Sequence, residues 1–316
     1  MIEVVAGILR DARGRILLSQ RLPGKHLAGS WEFPGGKLES GEAAADGLRR
    51  ELAEELGIVV EICRPLLSLT HHYPEKCVRL RLLEVPSWAG QPTGREGQSL
   101  RWVTLDEASR LAMPAADRPI LKALALDGRY FISRNPGSYP GNHASRRSFL
   151  ADWQKALADG SRLLQLRIRG MDPESLLRLG QACGELARAA SARWILNGPP
   201  ELAMETRADG VHLTSDALMA LSSRPLPEDR LVIASCHDPV ELTRAGEIGA
   251  DFVTLSPLRA TDSHPRARPL GWKAFSDLCA LSPLPVFALG GVRPDDLEAV
   301  RDHGGFGVAG INAFHS

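Results

Sequence analysis

The chain has 316 residues, 38 Lys plus Arg against 38 Asp plus Glu, and a formal net charge of zero. That length accommodates two domains, and the charge balance leaves no long-range field for holding duplex nucleic acid or an anionic membrane. The five cysteines, at 63, 77, 183, 236 and 279, form no CxxC pair and no close Cys/His grouping. Reduced, buried thiols are expected, not disulfides or a zinc site. Met1-Ile2-Glu3-Val4 opens as a strand instead of a signal peptide, and no apolar run reaches membrane-spanning length, so a soluble cytoplasmic protein is expected.

In chain order, alternation predicts a strand over 2–9, a turn at Asp11-Ala12-Arg13-Gly14 and a second strand over 15–19. The loop Trp31-Glu32-Phe33-Pro34-Gly35-Gly36 follows, with glycines where a backbone carbonyl must approach a metal closely. Residues 42–56 read as a helix, with Ser40 as N-cap and Gly57 as the C-terminal stop. Leu48, Leu52 and Leu56 make its buried stripe. Glu51, Glu54 and Glu55 stand three and four apart and project from a neighbouring face. Carboxylates so close repel one another unless a cation sits among them. Hard oxygen donors meeting an incoming phosphate favour Mg²⁺, with Mn²⁺ as a substitute, and Arg50 can pair with one carboxylate to fix its rotamer. His71 and His72 are read as structural residues at a strand start.

The segment 36–58, GKLESGEAAADGLRRELAEELGI, fills every fixed place of the Nudix box: Gly36, Glu42, Arg50-Glu51-Leu52, Glu54-Glu55 and Gly57-Ile58. The chain thus resembles the Nudix pyrophosphohydrolases. Through VAGILRDARGRILLSQR, SWEFPGGKLESGE, PTGREGQSLRW and MPAADRPIL it resembles the MutT-type branch, the 8-oxo-dGTP diphosphatases, over about residues 3–125. The resemblance implies an α+β Nudix fold, assigned to residues 1–128, and a metal site of Gly35, Glu51, Glu54, Glu55 and Glu96. It also implies attack on the β-phosphorus of a nucleoside triphosphate, giving the monophosphate and pyrophosphate. One of the helix carboxylates or Glu96 would take the proton of the attacking water, and Arg21 would contact the substrate phosphate. Phe33 is a candidate face near the base. MutT-type enzymes commonly carry Asn where Asp117 stands. Asn offers a donor and an acceptor, whereas ionised Asp only accepts, so Asp117 would accept from N1–H and N7–H of an oxidised guanine, or donate if protonated.

From Arg129 the texture changes. Strand candidates over 130–133, 163–169, 193–197, 210–214, 230–236, 251–256, 285–290 and 306–311 alternate with helical stretches such as 172–190, 239–248, 272–281 and 294–302. Eight strands with helical crossovers argue a (β/α)₈ TIM barrel over 129–316. The runs Gln165-Leu166-Arg167, Ile195-Leu196-Asn197, Gly210-Val211-His212-Leu213, Ser235-Cys236-His237 and Leu289-Gly290-Gly291-Val292 resemble the thiamine-phosphate synthase and thiazole tautomerase family. The synthase's metal-binding Asp is replaced by Gly198, only Asp216 remains of its acidic pair, and its lysine after QLR-x is Arg169. Its threonine-and-lysine loop reads 256–264, and Pro257 stands where the tautomerase has histidine. Gly290-Gly291 and Gly310-Ile311-Asn312 sit where such barrels bind phosphate through backbone N–H groups. Arg167, Asn197, His212 and His237 are expected to face the same mouth.

The expected whole is a nucleoside triphosphate pyrophosphohydrolase with a divergent barrel that binds a phosphorylated, thiamine-pathway ligand. The alternatives are Nudix action on thiamine-pathway pyrophosphates, retained synthase activity, or a barrel that binds without catalysis. Little sequence remains after the eighth strand, so an apolar flank covered by the first domain or by a second subunit, as in a homo-oligomer, is also expected.

Overall fold

In the computed structural model, apolar alternation at the start of the chain builds β1 (Ile2–Leu9), followed by β2 (Ile16–Gln20), β3 (Trp31–Glu32) and β4 (Gly35–Lys37). Then come α1 (Ala44–Leu56), the long hairpin β5 (Val59–Tyr73) and β6 (Lys76–Ala89), β7 (Leu100–Val103), α2 (Leu105–Ser109) and α3 (Arg118–Leu124). The structure describes residues 1–135, 142–167, 170–261 and 268–311, the side chains of 142–145 excepted. The chain separates into two compact units, Met1–Ala125 and Leu126–Ser316.

In the first unit β1 is central to a sheet of order β4-β1-β6-β5, and β3-β2-β7 form a second, smaller sheet. The β1–β4 pairing sets Val5 opposite Gly36 and Ala6 opposite Gly35, which lays the glycine pair beside α1. Leu48, Leu52 and Leu56 are fully buried and join Val5, Leu9 and Val85 in one apolar cluster. Gly57, at φ 70°, ends the helix in the left-handed conformation that favours glycine.

Two local expectations change. The helix begins at Ala44 with Ala43 at the N-cap and no side-chain cap, so Ser40 does not cap it. Glu42 turns inward to Arg50 instead, because a guanidinium offers more to its carboxylate than a helix end does. His71 and His72 lie near the end of β5, not at a strand start.

The second unit alternates β8 (Arg129–Ile132), α4 (Asn142–Ala158), β9 (Leu163–Arg167), α5 (Pro173–Ala189), β10 (Arg193–Asn197), α6 (Pro200–Glu205), β11 (Gly210–Leu213) and α7 (Ser215–Ala220). It continues with β12 (Leu231–Cys236), α8 (Pro239–Glu247), β13 (Phe252–Leu255), α9 (Gly271–Cys279), β14 (Val286–Leu289), α10 (Leu297–Asp302) and β15 (Gly307–Gly310). Among the described residues these eight strands pair in parallel and close into a barrel, β15 joining β8 and β8 joining β9. Alternate residues face the helices, where Leu164, Leu166, Trp194, Leu196, Val211 and Val253 join the buried core. The intervening positions fill the barrel interior. Among the described residues no helix is long and apolar enough to cross a membrane.

Candidate active site and barrel mouth

Gly36 and Glu51 determine one another's place. A Cβ on Gly36 would fall 2.3–2.5 Å from the Glu51 carboxyl atoms, so only glycine lets that carboxylate lie against the β4 backbone. Gly35 is equally constrained: its φ is 146°, and a Cβ there would sit 2.2 Å from the Val5 carbonyl oxygen. Its N–H hydrogen-bonds Glu55. Arg50 donates to Glu42 at 2.9 and 3.0 Å, to Glu51 at 2.9 Å, to Glu54 at 3.5 Å and to the Lys37 carbonyl at 3.1 Å. It therefore gathers three carboxylates, more than the one expected of it. The Arg50 pairing and the Glu39 N–H hold Glu42 down at about 2.

The loop after β6 reaches the same place through the end of α1. A helix leaves its last carbonyls without internal partners. Here Thr93 N–H donates to Leu56, Arg95 N–H and the Gln98 amide donate to Glu55, and the Arg95 guanidinium packs on Gly57. Glu96 is carried by that loop, its N–H donating to Gln98 Oε1. Burial, then the negative charges of Glu96 and Glu51, push the Glu55 carboxyl up to about 7. Glu55 thus lies within electrostatic reach of both Glu51 and Glu96, while Glu54 stands at the outer edge with its side chain 60% exposed.

Among the described residues no three Asp, Glu, His or Cys side chains close into a finished metal cage. The donor set nonetheless suits a hard divalent cation. It consists of carboxylate oxygens whose mutual repulsion a cation would relieve, beside a glycine cradle that admits Glu51.

Arg21, expected at the substrate phosphate, is otherwise engaged. Its guanidinium ion-pairs with Glu32 and donates to the His26 carbonyl at 2.6 Å. Phe33 is 4% exposed, a core ring with no open face. Asp117 is 6% exposed, and burial, reinforced by the Glu32 charge, pushes its carboxyl up to about 8. It is therefore un-ionised at neutral pH. Sequence reasoning missed Glu32, Tyr73 and Lys25. Tyr73 faces Asp117 and hydrogen-bonds the Ala116 backbone, and Lys25 reaches Glu96 at 3.2 Å. No sequence signal marks such cross-loop partners.

In the second unit, Arg167 and Asn197 end β9 and β10 as register partners, Gly290 and Gly291 follow β14, and Ile311 follows β15. All lie at the C-terminal mouth of the barrel. Gly290 and Gly291, at φ 93° and 68°, leave no room for a side chain against Pro257 and Arg259. His212 is not at the rim. It is 2% exposed inside the barrel, with Nδ1 3.1 Å from the Tyr130 hydroxyl and Nε2 2.8 Å from Ser235 Oγ, and burial lowers its pKa to about 3. The Gln165 amide donates to the same hydroxyl at 2.9 Å and accepts from Asn197 at 3.4 Å, so Tyr130 donates to a neutral His212. His237 donates from its backbone N–H to Glu241 at 2.6 Å, and its ring nitrogen Nδ1 lies 2.9 Å from that carboxylate. Asp216 is exposed in the first turn of α7. A groove of about 520 Å³ lined by Gly180, Gly184, Trp194 and Arg207 lies beside the N-terminal ends of β10 and β11, opposite the mouth. Arg169, Asn312 and residues 262–264 fall outside the described residues.

A glycine loop against an acidic helix, followed by a closed parallel barrel with a polar mouth, defines a phosphate-chemistry enzyme unit joined to a TIM barrel. Residues 5–123 match the family described as NUDIX domain, and residues 140–314 match thiamine monophosphate synthase. An 8-oxo-dGTP diphosphatase of Haemophilus influenzae is 39% identical over 42% of the chain and 97% of that relative. A CTP pyrophosphohydrolase of Escherichia coli is 39% identical over 39% of the chain and 90% of the relative. A thiamine-phosphate synthase of Moorella thermoacetica is 31% identical over 50% of the chain and 76% of the relative. The chain belongs to the Nudix family in its N-terminal unit, a hydrolase unit, and to the thiamine monophosphate synthase family in its C-terminal unit.

Proposed function

We propose that residues 1–128 hydrolyse a nucleoside triphosphate to the monophosphate and pyrophosphate, in the cytoplasm, with Mg²⁺ and with Mn²⁺ able to substitute. The observation that carries this is the placement of Glu51 and Glu55 on the Gly35-Gly36 cradle, with the charge of Glu96 felt at Glu55 from the loop that caps α1. When bound, the cation neutralises polyphosphate charge and acidifies a water. Glu51, Glu55 and Glu96 would hold it, with Glu54 completing the acidic edge. Glu55, with its raised pKa, is suited to exchange a proton near neutral pH. Arg50 keeps Glu51 in its rotamer. Glu54→Gln tests the assignment by pyrophosphate release: about a hundredfold loss or more is expected, and undiminished activity would sink it.

For the base we infer a reader that is un-ionised. A protonated Asp117 offers one donor beside one acceptor, as Asn does in its place in MutT-type enzymes. That pair complements the N7–H and O6 of an oxidised guanine, and equally the N3 and N4–H of cytosine. Names of relatives support both, and 8-oxo-dGTP is our first substrate, with cytosine nucleotides second. Comparing kcat/KM for 8-oxo-dGTP, CTP and a thiamine-pathway pyrophosphate separates these readings.

For residues 129–316 we propose binding of a phosphorylated, thiamine-pathway ligand at the mouth, by Arg167, Asn197 and the Gly290-Gly291 backbone. Gly198 stands where the synthase's cation-holding Asp would be, which argues against full synthase turnover. Calorimetry with thiamine phosphate beside a synthase assay distinguishes binding from catalysis.

A further inference from the structure

The loop between β2 and β3 has a built shape. Leu22-Pro23-Gly24-Lys25 is a tight turn, with Lys25 N–H donating to the Leu22 carbonyl at 3.3 Å and Gly24 at φ 84°, as a type II turn requires. The loop's ends are pinned. Arg21 N–H donates to Ser30 and Gly29 N–H to Arg21, both at 2.9 Å, and the Arg21 guanidinium clamps His26 and Glu32. His26 adds an edge contact to Tyr73, ring centroids 5.7 Å apart.

This frame delivers one side chain to the carboxylates. Lys25 Nζ lies 3.2 Å from Glu96 Oε2, bridging 71 positions of sequence, and its charge is felt at Glu55 and at Glu32. Arg50 pairs with a different set of carboxylates, Glu42, Glu51 and Glu54. Both partners of the Lys25–Glu96 pair are about half exposed, at 50% and 45%. An ion pair that open contributes little to stability and is easily exchanged. Arg21, in contrast, is committed: 22% exposed, it could leave Glu32 only by abandoning a carboxylate that burial already penalises.

We propose that Lys25, not Arg21, is the cation that grips the polyphosphate of the substrate, held at the site by Glu96 until a phosphate oxygen replaces that carboxylate, while Arg21 is the clamp that shapes the loop. The assignment rests on the hydrolase reading above and adds a residue to it. An ammonium is suited to this exchange, being a compact point charge on a flexible stem. Glu96, released by Lys25, is then free to join Glu51 and Glu55. No bond is made or broken in the step.

The test uses the full chain, Mg²⁺ and two probes measured by calorimetry: inorganic triphosphate, which has no base, and a nucleoside triphosphate with a methylene bridge that blocks hydrolysis. Lys25→Gln should weaken both by about tenfold to a hundredfold, the range for losing one hydrogen bond to a charged partner. Lys25→Arg should stay within about threefold of wild type. Melting temperature should be unchanged in both, since the pair is exposed, whereas Arg21→Gln should lower it. Wild-type affinity in Lys25→Gln overturns the proposal and leaves the hydrolase reading standing. Failure of the wild-type protein to bind either probe overturns both. Loss of triphosphate affinity in Arg21→Gln at unchanged melting temperature would return the role to Arg21.

Discussion

Asp117→Asn keeps the shape of the side chain and abolishes its proton equilibrium. In the folded protein this carboxyl titrates at about 8 instead of 3.8. Above pH 4 the unfolded chain has released a proton that the folded state still holds, so stability falls as pH rises through that window. The sign is opposite to that of an ion-paired carboxylate. The contribution vanishes below about pH 4, where both states are protonated, and is most unfavourable from about pH 8 upward, where both are ionised. Between about pH 5 and 8 the loss is about 4 kcal/mol, at 1.36 kcal/mol per unit. With the residue 6% exposed, solvent screening removes little of it. Wild type should therefore lose a few kcal/mol relative to Asp117→Asn across that range. Amide exchange of β1 and α1 residues under denaturant reads this unit alone. A difference between the two proteins that stays flat from pH 5 to 8 would refute the un-ionised Asp117, and with it the donor-and-acceptor reading of the base.

The glycine cradle makes a paired prediction. Gly36→Ala pushes on the movable end of Glu51, so the fold should survive while hydrolysis drops by about a hundredfold, read as kcat by pyrophosphate release. Gly35→Ala meets the rigid Val5 carbonyl at a left-handed φ and should cost about 3 kcal/mol or more in a denaturant titration. In the barrel, Tyr130→Phe strips a partner from both Gln165 and His212 inside a fully buried network. A loss of about 1–3 kcal/mol is expected by denaturation of the second unit. An unchanged midpoint there would mean that the hydroxyl is dispensable to the barrel.

Much of the fold was legible because its signals are local. Strand β1 runs over the residues that its alternation predicts, and α1 ends at the glycine read as its stop. All eight barrel strands fall within a residue or two of the apolar runs that announced them. The helices α4, α6 and α7 were not singled out; α6 and α7 have only six residues each, which gives a 3.6-residue period little to show, and α10, equally short, was read together with the turn over 294–296 before it. The hairpin of β5 and β6 was also missed, since its register shifts near Ile62 and Pro65 break the period of two.

The site divides along the same line. Spacing along one helix was sufficient to set Glu51 and Glu55 one turn apart, and the glycine pair marked a close approach of the backbone, read there as an approach to a metal, where the structure sets the Glu51 carboxylate against Gly36. These are properties of neighbours in the chain, and the amino-acid order states them directly. Ionisation and availability are not such properties. Glu32 occupies Arg21, the interior of the first unit keeps Asp117 protonated, Tyr130 and Ser235 enclose His212, the loop that caps α1 carries Glu96 to the carboxylates, and the turn between β2 and β3 brings Lys25 to Glu96. Each depends on a partner far away in sequence or on removal from water. A charge or a hydrogen bond is decided by what stands within a few ångströms, and only the tertiary structure chooses those neighbours.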